Sequence, residues 1–193
     1  MIRFFPFIFI LLWSSAFITT KPIVDNSEPF SALAFRFLIV AIGFLIFSYF
    51  SKKEIIVSKK NIGESILTGV LFHGLYLGGV FYSISKGMPT GIAALIVTLQ
   101  PILTNILAGP LLNEKIGWKQ WLGITLGFIG AILVLGFDIG ESIPISGVVA
   151  TFIALFAITG STIWQKKLSH NISLPVNNMY QAIGGFLFHT LII

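Results

Sequence analysis

The chain has 193 residues, 55% of them apolar and only 10% charged, against roughly 25% charged in an average soluble domain. Its mean hydropathy is +0.95, its net charge is +5, and it contains no Cys. The charges cluster between long apolar runs. That pattern excludes a soluble globular domain, a disordered chain, a disulfide scaffold and a thiolate metal site, and leaves a polytopic membrane protein.

A helix needs about 20 apolar residues to cross about 30 Å of hydrocarbon. Seven segments are predicted to do so: 4–20, 30–50, 66–85, 91–112, 118–137, 145–164 and 176–193. The first resembles a secretory signal, with Arg3, an apolar stretch and Ser14-Ser15-Ala16. Six more spans follow it, so it reads as an uncleaved helix. The connections are short, as packed bundles require. Those at 51–63 and 166–175 are basic, 113–117 holds Glu114 and Lys115, and 138–144 is acidic.

With a cytoplasmic N-terminus, the inner side holds Arg3, Lys52, Lys53, Lys59, Lys60, Lys115, Lys119, Lys166 and Lys167. The outer side holds Lys21 and Lys86, and Arg36 lies within a span. Nine against two fixes this orientation by the positive-inside rule. It also explains the basic balance through anionic lipid headgroups rather than nucleic acid. The lipid bilayer is therefore an expected partner and nucleic acid is not.

Span one compares with span six. Residues 16–21 sit opposite 161–166, and Pro29 sits opposite Pro175. In both places a span ends near Lys, a polar linker follows, and Pro precedes the next span. A five-helix unit that restarts at the sixth helix must be inserted upside down, because five is odd. Inverted repeats with a site between them are a recurrent transporter plan. The expected units are residues 1–140, a first five-helix repeat, and 141–193, the start of a second, inverted one. The apolar run at 188–193 also predicts that this is the front part of a longer chain.

At these residues the chain resembles the drug/metabolite transporter superfamily, in its ten-helix EamA-type branch. Leu12-Trp13-Ser14-Ser15-Ala16-Phe17 is similar to the family's first-helix Trp-Gly-Ser-x-Phe, with Ser14 where Gly is usual. Phe35-Arg36-Phe37 resembles the Arg-containing start of its second helix. Leu99-Gln100-Pro101, Leu112-Asn113-Glu114-Lys115, Gln120 with Gly123, and Gly130-Ala131-Ile132-Leu133-Val134 resemble later landmarks, in order. The resemblance implies an all-α transmembrane bundle of two five-helix repeats, of which this chain supplies about seven spans. It further implies an exporter of small organic metabolites or drugs across the inner membrane by alternating access, with no cofactor. The alternative is a non-transporting membrane fragment or assembly subunit.

The expected substrate-binding residues follow from polar groups placed in apolar spans. Arg36 lies about 9 Å below the outer end of its span at 1.5 Å per residue. A guanidinium there either snorkels to the interface or faces a cavity, where its natural ligand is an anion or zwitterion. Pro101 frees the carbonyl of Val97 at membrane depth. It has Thr98, Gln100 and Asn105 as polar company, or is a simple packing kink. His73 and Tyr76 lie mid-span three residues apart; the His reads as a proton relay or as a histidine bonded to a neighbouring helix. Trp13 and Ser14 lie at mid-depth, where Trp13 stacks on a substrate or fills core. These residues are expected to share one cavity, with Arg36 at its outer mouth. Glu114 is expected to pair with Lys115, Lys119 or a helix end, with proton coupling the lesser reading. Gly74-x-x-x-Gly78 and Gly123-x-x-x-Gly127 read as close-packing faces, with homodimerisation the lesser option. No His-Glu-x-x-His, nucleophile elbow, phosphate loop or metal-ligand cluster occurs, so nothing points to an enzyme.

Overall fold

The computed structural model describes residues 4–112, 117–135, 143–168 and 172–193. These form a bundle of seven helices: α1 (Phe5–Asn26), α2 (Pro29–Phe50), α3 (Lys59–Ser85), α4 (Thr90–Leu112), α5 (Trp118–Leu135), α6 (Ile145–Leu168) and α7 (Leu174–Ile192). Among the described residues, α1, α2, α3, α4 and α6 are long and apolar enough to cross a membrane. The all-helical membrane bundle expected from the sequence is the one observed. In the last helix Asn177, Asn178, Gln181 and His189 interrupt the apolar run.

Helix ends extend past the apolar runs because local chemistry carries them. α1 continues through Lys21 and Pro22 to Asn26, supported by the Lys21–Asp25 ion pair at i, i+4. α2 begins at Pro29, where a missing N–H does no harm, and the Glu28 carboxylate accepts from the N–H groups of Phe30 (2.9 Å) and Ser31. Ser58 caps α3 by accepting from Asn61 N–H at 3.2 Å. The turn from α3 to α4 closes with Gly87 at φ +92°, Gly87 N–H on the Ile84 carbonyl and Met88 N–H on that of Ser83.

Two helices depart from a regular α-helix. Residues 70–76 of α3 wind as a π-helix, so the Leu77 N–H reaches the Phe72 carbonyl five residues back. α4 breaks into 90–97 and 100–112 at Thr98–Leu99. Pro101 stands in the first turn of the second piece and has no N–H for the Val97 carbonyl.

The core sits where α3, α6 and α7 converge. Tyr76, Val80 and Ile84 of α3 pack with Ala154, Ala157 and Ile158 of α6 and Ala93 and Val97 of α4. A second cluster joins Leu33, Phe37 and Ala41 of α2 to Phe81 and Ala182. α7 lies against α2 and α3 at close range. A Cβ on Gly184 would stand 2.3 Å from the Ile66 carbonyl oxygen, and one on Gly69 would meet the Gln181 backbone. Only backbone without side chains lets these helices touch there. The Gly74/Gly78 face packs on Phe188 and His189, as the sequence spacing predicts. The Gly123/Gly127 face differs: a Cβ at either glycine would meet nothing within 4 Å among the described residues. Glu114 and the acidic turn at 138–142 lie outside the described residues.

Candidate functional site

One face of α1 supplies Trp13, Ala16, Phe17 and Thr20, spaced i, i+3, i+4, i+7, so they form a single stripe. It faces Arg36, Phe37 and Val40 of α2 and Phe72, His73 and Tyr76 of α3 across a cavity of about 320 Å³. That is roughly ten water volumes at about 30 Å³ each, at the small end of the range for small-molecule sites. The walls are mainly apolar, aromatic and aliphatic in equal measure. Arg36 is the fixed charge among the described lining residues, and no carboxylate is among them. The guanidinium carbon sits 5.8 Å from the Phe37 ring centroid. Arg36 has no ion-pair partner among the described residues.

The π-helical turn places the α3 wall, with Phe72, His73 and Tyr76 all on the cavity. The His73 ring packs 4.5 Å from Phe37 and edge-on to Phe72 at 5.1 Å. Its Nδ1 is buried without a hydrogen-bond partner among the described residues. α7 fixes its backbone: His189 Nε2 donates to the His73 carbonyl at 3.0 Å, and a Cβ on Gly185 would lie 2.6 Å from His73 Cβ. A carbonyl can only accept, so this bond assigns the Nε2–H tautomer to His189.

Thr19 and Thr20 also line the cavity. Thr20 Oγ1 donates to the Ala16 carbonyl at 2.7 Å, and Thr19 Oγ1 to those of Ser15 and Ala16 at 3.0 and 3.1 Å. Their protons are committed, so each oxygen presents lone pairs to a ligand. At the Pro29 end of α2, burial raises the Glu28 carboxyl, but the Phe30 and Ser31 N–H groups outweigh it and hold the group below the usual carboxylate range.

Trp13, Arg36, His73 and Tyr76 thus meet around one cavity. The polar group near Pro101, expected to share it, does not line this cavity. Ser14, Thr98, Gln100, Pro101 and Asn105 are not among the lining residues. No residue of α4 is among that lining: α4 packs chiefly on α6 rather than on the wall formed by α1, α2 and α3. Thr98 is exposed and its Oγ1 donates to the Leu95 carbonyl at 2.6 Å. Gln100 Nε2 instead donates to Thr104 and to Thr162 of α6, both at 3.3 Å. Asn105 and Pro101 lie on that second piece of α4, and Ser14 is on the exposed side of α1. Phe17, Thr19, Thr20, Phe37 and Phe72 were not singled out from sequence. The stripe on α1 at helical spacing from Trp13 was the signal that could have found its members.

The sequence profile of the EamA-like transporter family matches residues 3–136. A protein named "Probable amino-acid metabolite efflux pump" from Salmonella typhimurium is 26% identical over 178 residues, covering 89% of this chain and 56% of its own length. The protein of the same name from Escherichia coli is 24% identical over 172 residues, covering 86% and 54%. A "S-adenosylmethionine/S-adenosylhomocysteine transporter" from Chlamydia muridarum is 24% identical over 141 residues, covering 72% and 44%. The chain spans about half the length of the curated relatives it matches.

Proposed function

The chain belongs to the EamA-like transporter family, and from that premise we propose that its cavity binds a compact amino acid or acidic amino-acid derivative for export. The chain is an integral membrane protein of that family; transport itself, the substrate class, the direction and the alternating-access mechanism are our reading. The observation that carries it is Arg36 on an apolar, partly aromatic cavity without a carboxylate among its described residues. A guanidinium facing an apolar space calls for an anionic group, and the apolar walls suit an apolar body beside it. The names of the Salmonella and Escherichia relatives support amino-acid metabolites as the class.

We place the protein in a bacterial cytoplasmic membrane with its N-terminus inside, from the nine-to-two Lys/Arg asymmetry. Residues 1–140 then form a first repeat and 141–193 open an inverted second one. Cells loaded with labelled phenylalanine test the reading. Expression of the protein should speed saturable efflux, and an excess of another amino acid should compete; unchanged efflux would overturn it. Cysteines at Ser27 and Ser58 test orientation in a chain with none of its own. An impermeant thiol reagent should label position 27 in intact cells and spare position 58, and the reverse would overturn the topology.

A further inference from the structure

We propose that a furrow between α6 and α7 seats one acyl chain of an anionic phospholipid, whose phosphate meets the Lys86 ammonium at the end of α3. The furrow shares no lining residue with the cavity of α1, α2 and α3, and the proposal stands apart from that cavity's function. α6 and α7 meet through α3 rather than through each other. Gly78 and Gly79 of α3 bring them close on either side. A Cβ on Gly78 would stand 3.0 Å from the His189 ring of α7, and one on Gly79 would stand 2.9 Å from the Ala150 carbonyl oxygen of α6. Between the two helices an open furrow of about 280 Å³ remains, with α3 as its floor.

Its shape and chemistry are those of a hydrocarbon chain's bed. The surface it exposes is wholly apolar, so it offers water or a polar ligand no hydrogen bond. Leu75 lines its deep end and Tyr82 its shallow end, about 10 Å apart at 1.5 Å per residue. About 280 Å³ along that length makes a furrow roughly 5 Å across. A helix with its side chains is about 10–12 Å wide, so another span does not enter, whereas a single extended hydrocarbon chain does. The other lining residues all sit toward the Lys86 end of their helices. Phe30 opens α2, Ile153 lies near the start of α6, and Phe188 and Ile192 lie near the end of α7. The furrow therefore stays within one leaflet.

A cation stands at the head of the furrow. Lys86 follows Tyr82 by about one turn, and its Nζ lies 5.2 Å from the Tyr82 ring centroid. Phe30 stacks on that same ring at 6.2 Å and holds it in place. Lys86 is exposed and has no ion-pair partner among the described residues. From Leu75 to Lys86 the helix climbs about 16 Å, against about 15 Å for half of the hydrocarbon core. A chain whose tip reaches the bilayer centre at Leu75 therefore brings its phosphate level with the ammonium. A phosphate is the complement of an unpaired ammonium at that depth. A glycerol headgroup leaves the phosphate's charge to Lys86, whereas a choline headgroup brings a cation of its own to compete. In the topology proposed above, this is the outer leaflet.

The chain in phosphatidylcholine nanodiscs tests this, doped with phosphatidylglycerol that carries a photoactivatable diazirine on one acyl chain. Adducts formed on irradiation are mapped by peptide mass spectrometry and compared with those of the same diazirine chain on phosphatidylcholine. They should concentrate on residues 75–82, 150–153 and 188–192, above the exposed faces of α1 and α5. Phosphatidylglycerol should label these segments about fivefold more than phosphatidylcholine, the preference one Lys at the membrane surface confers. Lys86→Gln, a change at an exposed position, should erase that preference. Ile153→Trp, which fills the furrow from its half-exposed rim, should cut the labelling by either lipid. Lys21→Gln removes a cation that Asp25 already pairs and should change neither. Adducts spread evenly over the exposed faces, equal labelling by the two headgroups, or a preference that survives Lys86→Gln overturns the proposal. A furrow free of adducts in a nanodisc that holds two copies of the chain also overturns it, because a second copy then covers that face.

Discussion

α1 and α7 flank the same pair of helices, α2 and α3, yet they occupy opposite environments. α1 is apolar and almost wholly exposed, with Leu11 at 71% and Ile18 at 75%. α7 is the more polar helix, and Val176, Asn177, Gln181, Ala182 and His189 are all buried. A soluble protein would reverse this. In lipid, exposed apolar surface costs nothing, so side-chain size and hydrogen bonding decide which helix goes inside. α7 has Gly184 and Gly185 where backbones must touch and His189 where the π-helical turn offers a carbonyl. α1 holds its place through the one stripe that faces the cavity, which suits a wall around a ligand better than a structural strut.

The largest expected effect comes from filling the α7 contact. Gly184→Leu would drive a Cβ against the Ile66 carbonyl. It should destabilise the chain by about 3 kcal/mol or more, read as a lowered Tm in detergent. The matched change on α1, Leu11→Ala, should stay within about 0.5 kcal/mol. Equal losses at both positions would break the comparison.

A smaller effect of opposite sign is expected at Gln181. It is 3% exposed, and its Nε2 has no hydrogen-bond partner among the described residues. Gln181→Leu should therefore stabilise the bundle by about 1 kcal/mol, since an unpaired buried donor costs about 1–3 kcal/mol. Destabilisation would show that the amide is paired in the membrane.

The smallest effect belongs to Glu28, which caps α2 close to the end of α1. Its carboxyl is held below the usual range, so its contribution is fully present above about pH 4.5 and is lost as pH falls through the folded value. Because the residue is exposed, the effect is on the order of 0.5 kcal/mol. Glu28→Gln should remove that part of the acid dependence of Tm.

Much of this was legible in the sequence, for reasons that differ by element. Apolar run length located all seven helices, since span length follows from bilayer thickness. The ends were read short at α1 and α3, because Lys21–Asp25 pairing and the Ser58 cap extend helices beyond the apolar run. Trp13, Arg36, His73 and Tyr76 were singled out because polar or amphipathic groups inside spans need a reason. Thr98, Gln100 and Asn105 were grouped with them by depth alone, which does not say which neighbours a helix packs on; α4 contributes no residue to this cavity. The π-helical turn and the His189 contact were invisible to periodicity, since both depend on how α7 docks.

The most direct measurement of the central claim is binding of labelled phenylalanine at pH 8 to the wild-type chain, Arg36→Lys and Arg36→Ala in nanodiscs. Loss of a charge-assisted hydrogen bond is worth about 1.5–3 kcal/mol, so Arg36→Ala should weaken binding about ten- to a hundredfold, and Arg36→Lys less. An affinity that Arg36→Ala leaves unchanged would contradict the account: Arg36 would then be snorkelling to the interface, and the cavity would not be the substrate site.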